Sequence, residues 1–220
     1  MTDTEFATAG VRPLLRGVLH EVGFAIAIVV GVLVVIGSDG VRRSVAAAAF
    51  AGSAVAMLGA SALYHRVAWS TRVRPWMRRL DHAGIYALIA GTYTAVGLVS
   101  MHGTLRTVVL AFVWGGCAVA TFLKLCWVEA PTWLSAVVAI SLGWVGIVAV
   151  PQLLRAAGVA QVVLIAAGGI AYTLGGIVYA RRKPDPLSAV FGYHELFHAL
   201  TLVALALQYV AITFFVVRAA

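Results

Sequence analysis

His194 and His198 stand four residues apart in the string HELFH (194–198), and Ser61 and His65 repeat that spacing in SALYH (61–65). Four residues are one turn of an α-helix, so each pair shares a face, about 6 Å apart along the axis. Two imidazoles so placed offer two nitrogens to one metal ion, and His65 offers a third where its helix meets theirs. Three neutral imidazoles suit zinc, and three protein ligands with one open position is the catalytic rather than the structural arrangement. Asp81, which opens DHAGIY (81–86), is placed to hold a water at that position and to accept its proton. Ser61, one turn deeper than His65, would orient Asp81 or help hold an oxyanion. The expected metal ligands are therefore His65, His194 and His198, and the expected catalytic residues Asp81 and Ser61.

Other readings of the same residues stay open here. HELFH matches H-E-x-x-H, in which both histidines bind zinc and the glutamate is the general base of a metalloprotease. An intramembrane protease would make Glu195 the base and Asp81 the third ligand, leaving His65 idle and the Ser61–His65 pair unexplained. A histidine pair at this spacing also serves packing or interhelical hydrogen bonding, and His65 alone reads as an interfacial residue. His102 reads as a surface histidine and His82 as a packing or supporting group. His20 and Glu21 are ambiguous, Glu21 either satisfying neighbouring helix ends or lining a cavity.

The elements that carry these residues are apolar. Hydrophobic residues make up 62% of the 220 and charged residues 11%, where a soluble domain is about half apolar and a quarter charged. Lipid is the expected solvent, and one domain is expected over residues 1–220, with a short N-terminal tail at 1–17. A span needs about 20 mostly apolar residues. Seven fit: Val18–Ile36, Ser44–His65, Asp81–Met101, Thr107–Val128, Thr132–Leu154, Val159–Ala180 and Ala189–Val217. The turn GSDG (37–40), a basic loop at 66–79 and the proline-broken segment RRKPDP (181–186) separate some of them. The expected fold class is an all-α, seven-transmembrane-helix bundle with its N-terminus cytoplasmic and its C-terminus outside.

That orientation follows from lysine and arginine alone. With the N-terminus inside, the inner segments hold eleven basic residues (Arg12, Arg16, Arg66, Arg72, Arg74, Arg78, Arg79, Lys124, Arg181, Arg182, Lys183) and the outer segments five (Arg42, Arg43, Arg106, Arg155, Arg218). Arg42 and Arg43 run against the rule. The same topology puts His20 and Glu21, Ser61 and His65, Asp81 and His82, and His194 to His198 at one inner level, on four helices. Ionisable groups at membrane depth are costly and point to function, so this convergence is the main argument for a metal site. The net charge of +8 comes from short gaps between apolar runs, a pattern of topology signals and anionic-lipid contact. It forms no basic stripe, which excludes nucleic acid as a partner. Residues 1–9 carry Asp3 and Glu5 and no basic residue, so the first run reads as a retained span and not a signal peptide. Cys117 and Cys126, nine residues apart on one helix, face opposite sides and form no disulfide. The glycine-rich helices permit association without specifying an oligomeric state.

SALYH, DHAGIY and HELFH, in this order on the second, third and seventh spans, resemble the haemolysin III proteins, bacterial members of the superfamily of the adiponectin and progestin receptors. The resemblance covers essentially the whole chain. It implies a seven-helix bundle with a cytoplasmic N-terminus, zinc held by the residues matching His65, His194 and His198, a water linked to Asp81, and Ser61 beside it. It implies that Glu195 is not essential, since the receptor branch carries an amide there in some members. The receptor branch is associated with hydrolysis of ceramide-type amides, and the bacterial branch is named for a haemolytic, pore-forming activity. With about 17 residues before the first span, ligand recognition of the adiponectin-receptor kind is not expected. The functions under consideration are a zinc-dependent hydrolase of lipid amides or esters with a role in membrane lipid homeostasis, a membrane sensor with a structural zinc, a cytolytic pore-former and an intramembrane protease. Membrane lipid is the expected partner and candidate substrate, and the cell membrane the expected location.

Overall fold

A computed structural model describes residues 13–127 and 129–217. Arg12 and Arg218, most of the tail 1–17, and Val128 at the expected end of the fourth span lie outside the described residues. Among the described residues eight α-helices follow one another: α1 (Val18–Ile36), α2 (Gly40–Arg66), α3 (Arg74–Ser100), α4 (Gly103–Cys126), α5 (Thr132–Trp144), α6 (Val150–Ala157), α7 (Val159–Arg181) and α8 (Tyr193–Val217). A 3₁₀ segment, Val145–Ala149, joins α5 to α6. Taken together as Thr132–Ala157, that unit is one of seven spans long and apolar enough to cross a membrane. The fold is the expected seven-helix membrane bundle.

Several boundaries differ from the sequence reading, each for a local reason. The fifth span is broken because Pro151 lacks an amide proton and its ring clashes with the turn before it. Tyr93 of α3 fills the break: its hydroxyl accepts the Gly146 N–H at 2.6 Å and donates to the Gly143 carbonyl at 2.7 Å. This is how a membrane helix re-satisfies freed backbone groups. The third helix begins at Arg74, with Pro75 in its first turn, where the missing N–H costs nothing. The basic loop shortens accordingly, and Asp81 and His82 lie two turns inside α3 instead of opening it. The last helix starts at Tyr193, not Ala189, because Leu187 and Phe191 close a small antiparallel turn ahead of it. The second helix starts earlier than expected, at Gly40.

α2 and α3 are the most enclosed helices, and the core gathers on them around Phe50, Met57, Leu58, Tyr86 and Leu88. Small residues let the two approach: a Cβ at Gly91 would stand 2.7 Å from the Ala49 carbonyl. The outer faces are apolar, as lipid requires; Val22, Ile26, Val29 and Leu33 of α1 are all exposed. Alternation of helix direction brings the start of α1, the end of α2, the first turns of α3 and the start of α8 to one end of the bundle. Exposed Trp76, Trp127 and Trp133 mark that end as an interfacial belt. Cys117 is buried, Cys126 is exposed and both are free, in line with their expected opposite faces.

Candidate metal centre

The start of α8 is held by side chains that leave little freedom to the histidines behind it. Glu195 reaches back from the third residue to accept the Gly192 N–H at 2.9 Å, half of a capping box. Asp185 accepts the Tyr193 N–H at 2.8 Å. The other Glu195 oxygen takes the Arg16 Nε at 2.6 Å, and both side chains are buried. Arg16 belongs to the segment leading into α1, whose Leu14 and Leu15 amides donate to the Ala189 and Val190 carbonyls at 3.1 Å. Gly17 follows with φ +81°, and a Cβ there would stand 2.6 Å from the His65 Cβ. Only a glycine lets α1 begin this close to α2.

On this frame His65, His194 and His198 come together, with one ligating atom from each within 4.8 Å of the others. His65 Nε2 and His194 Nε2 are 3.2 Å apart. Ring centroids are 4.6 Å apart for His194 and His198, 4.8 Å for His65 and His194, and 5.2 Å for His65 and His198. His65 and His198 are buried and His194 half-buried. Asp81 Oδ2 lies 3.8 Å from His65 Nε2, a separation at which one water bridges two polar groups. His82 directs Nδ1 to the Arg78 carbonyl at 2.7 Å, with the same nitrogen 4.0 Å from Asp81 Oδ2, so it stands beside Asp81 and outside the three-histidine group.

Two residues the sequence left open have definite places. Glu21 pairs with Arg66, the last residue of α2, at 2.7 Å on the surface, so it satisfies a neighbouring helix end. His20 is buried inside the centre. Its Nδ1 lies 2.8 Å from Ser61 Oγ, and its ring stacks on His198 with centroids 3.7 Å apart and planes 12° from parallel. Ser61 therefore meets His20, a partner that the spacing within SALYH could not reveal. The available signal was His20's position at the same membrane level as the cluster. His102 is exposed at the opposite end.

The cluster opens on a cavity of roughly 500 Å³. Its upper wall carries Asp81, His82, Tyr179 and Tyr193, with the Arg78–Glu129 ion pair (2.8 Å) at the rim. Its deeper wall is mostly apolar, with Ile89, Val96, Ile140 and Ile165 interrupted by Thr92, Thr201 and Gln208, and it extends to Val150 and Leu153 at the far end of the fifth span.

Three imidazole nitrogens within 4.8 Å of one another are a donor set of the kind that zinc, copper, iron and nickel accept. Two nitrogens each about 2.0–2.1 Å from a tetrahedral ion stand about 3.4 Å apart, close to the observed 3.2 Å. A divalent cation also resolves what is otherwise unfavourable, three imidazoles crowded together at membrane depth. The group could hold a metal ion, and nitrogen-only donors argue against magnesium or calcium, which prefer oxygen.

The family model described as haemolysin-III related matches residues 9–209. The chain is 32% identical over 139 residues to the hemolysin-3 homolog of Bacillus subtilis (strain 168), a match covering 63% of this chain and 62% of that protein. This alignment spans less than two thirds of the Bacillus subtilis protein. It is 28% identical over 210 residues to hemolysin-3 of Bacillus cereus, covering 94% and 93% of the two chains. No solved structure matches it significantly. Seven apolar spans, the histidine cluster and a family match over most of its length lead to one assignment: the chain is a multi-pass membrane protein that belongs to the haemolysin-III-related family.

Proposed function

We propose that this protein is a zinc-dependent hydrolase of lipid amides or esters, acting at the cytoplasmic face of the cell membrane. The observation that carries the reading is a three-histidine cluster with a carboxylate beside it, at the head of a cavity whose deeper wall is mostly apolar. His65, His194 and His198 would hold the zinc. When bound, zinc supplies Lewis acidity, polarising a carbonyl and lowering the pKa of a water toward about 7. Asp81 orients the attacking water and takes its proton, then returns that proton to the leaving amine or alcohol. The Ser61 hydroxyl donates a hydrogen bond to the developing oxyanion. The apolar wall accepts the acyl chain and keeps bulk water from it. The cytoplasmic placement rests on the ten described basic residues at or beside the cluster end, from Arg16 to Lys183.

Glu195 weighs against the protease reading: both of its oxygens are engaged, by Arg16 and by the Gly192 amide, and it is wholly buried. A sensor with a structural zinc remains the second reading, favoured by ligands that tie α2 to α8. The pore reading draws on the name of the Bacillus relatives, and liposome leakage that survives metal chelation would favour it. The test is hydrolysis of a panel of N-acyl lipid amides and esters by purified protein in nanodiscs, read by mass spectrometry. Asp81→Ala should bind zinc like the wild type and lose about 10²–10⁴-fold in turnover, the usual worth of a general base. A wild type that binds zinc and cleaves nothing in the panel transfers the case to the sensor.

A further inference from the structure

The fourth buried imidazole, His20, has no part in the chemistry above, yet it touches both ligand-bearing helices. It is 2% exposed and lines the same cavity as the cluster. Its ring lies flat on His198 of α8, and its Nδ1 meets Ser61 of α2, one turn from His65. Gly17, one turn earlier, is what allows this part of α1 to sit against His65. The His20 Nε2 and the His198 Nδ1 are both buried and have no hydrogen-bond partner among the described residues. Of the rings around His198, His20 is the nearest and the only one lying parallel to it, with centroids 3.7 Å apart against 4.6 Å to His194 and 5.2 Å to His65 among the described residues.

We propose that His20 is a positioning residue with two separable actions: its face fixes the ring of His198 for metal binding, and its edge fixes the hydroxyl of Ser61. With Nδ1–H donating to Ser61 Oγ, the serine proton is directed away from His20 and is free to donate to an oxyanion. The second action rests on the hydrolase reading; the first needs only the metal site. Imidazole serves both because it is flat and aromatic on its faces and polar at its edge. Phenylalanine supplies only the face, and asparagine only the edge.

The two actions separate in a pair of variants of the full-length protein in nanodiscs, with Zn²⁺ affinity measured by competition against a chromophoric chelator and kcat and KM measured on zinc-loaded protein. His20→Phe keeps the face: zinc affinity should stay within about threefold of wild type, while kcat falls about 10²-fold at unchanged KM, as when an oxyanion donor is lost. His20→Asn keeps the edge: zinc affinity should fall about 10–100-fold, as for other groups that orient a ligand, and most of the turnover lost in His20→Phe should return. Ser61→Ala, which removes the bond without touching the stack, should hold zinc as tightly as wild type and should gain no further loss of kcat when combined with His20→Phe. Equal loss of zinc affinity in His20→Phe and His20→Asn, or none in either, overturns the orienting stack. Additive losses in the Ser61→Ala, His20→Phe double variant overturn the hydrogen-bond action. If wild type hydrolyses nothing, the hydrolase reading and the second action fall, and the zinc affinities alone decide the first. Should His20→Phe not assemble, His20→Asn decides the first action alone: a loss of about 10–100-fold in zinc affinity supports the stack and wild-type affinity overturns it.

Discussion

Replacing Glu195 by glutamine removes one negative charge from a side chain with no solvent exposure, 2.6 Å from a guanidinium that is itself 10% exposed. Breaking a buried ion pair from one side costs about 3–5 kcal/mol, because the remaining charge loses its counter-charge in a poorly solvated place. Glutamine still presents an oxygen to the Gly192 amide, so the helix cap survives, and the lower end, about 3 kcal/mol, is the expected loss. For a chain of this size that corresponds to a fall in Tm of about 6–12 °C. Glu195→Ala also surrenders the cap and should cost about 1 kcal/mol more. The assay is thermal unfolding in nanodiscs with zinc present, paired with turnover per zinc-loaded molecule below the transition. Turnover in Glu195→Gln should stay within about threefold of wild type, since a capping and pairing group contributes nothing to proton transfer. Abolished turnover at an unchanged Tm would refute this reasoning and restore Glu195 as the base of a protease.

Two further substitutions probe how the bundle holds the site. Gly17→Ala places a Cβ 2.6 Å from the His65 Cβ at a left-handed position that costs an L-residue about 1–2 kcal/mol; both stability and zinc affinity should fall, and unchanged zinc affinity by chelator competition would show that α1 does not constrain His65. Tyr93→Phe strips the Gly146 amide of its acceptor, a buried loss of about 1–3 kcal/mol; Tm should drop by several degrees with zinc content unaltered, and an unchanged Tm would mean that the fifth span satisfies its break in another way.

Local patterns were enough for much of this molecule. Hydropathy alone placed α1 at Val18–Ile36, and the seven-fold crossing followed from length and composition. Spacing within HELFH and SALYH singles out the three histidines, and depth along the spans brings them to one level. What was not legible has a common cause: it depends on pairs far apart in the chain. Arg16 and Glu195 are separated by 179 residues and His20 and Ser61 by 41. No periodicity within either helix announces such a partner. Arg16 read as a topology charge because its composition signal is the same whether it faces water or Glu195. The break before Pro151 carried a local signal, but its repair by Tyr93 from another helix did not. Ala189 and Val190 continue the apolar run in sequence, and it is the turn closed by Leu187 and Phe191 that excludes them from α8.

Three imidazoles sharing one cation are the centre of the proposed site, and metal content measures that directly. Protein purified without added chelator should carry about one zinc per chain by elemental analysis, as expected for a single tetrahedral site. His65→Ala and His198→Ala, each confirmed as folded in nanodiscs, should carry almost none. Zinc content in either variant equal to that of the wild type, or a wild type that holds no zinc after growth in zinc-replete medium, would contradict it.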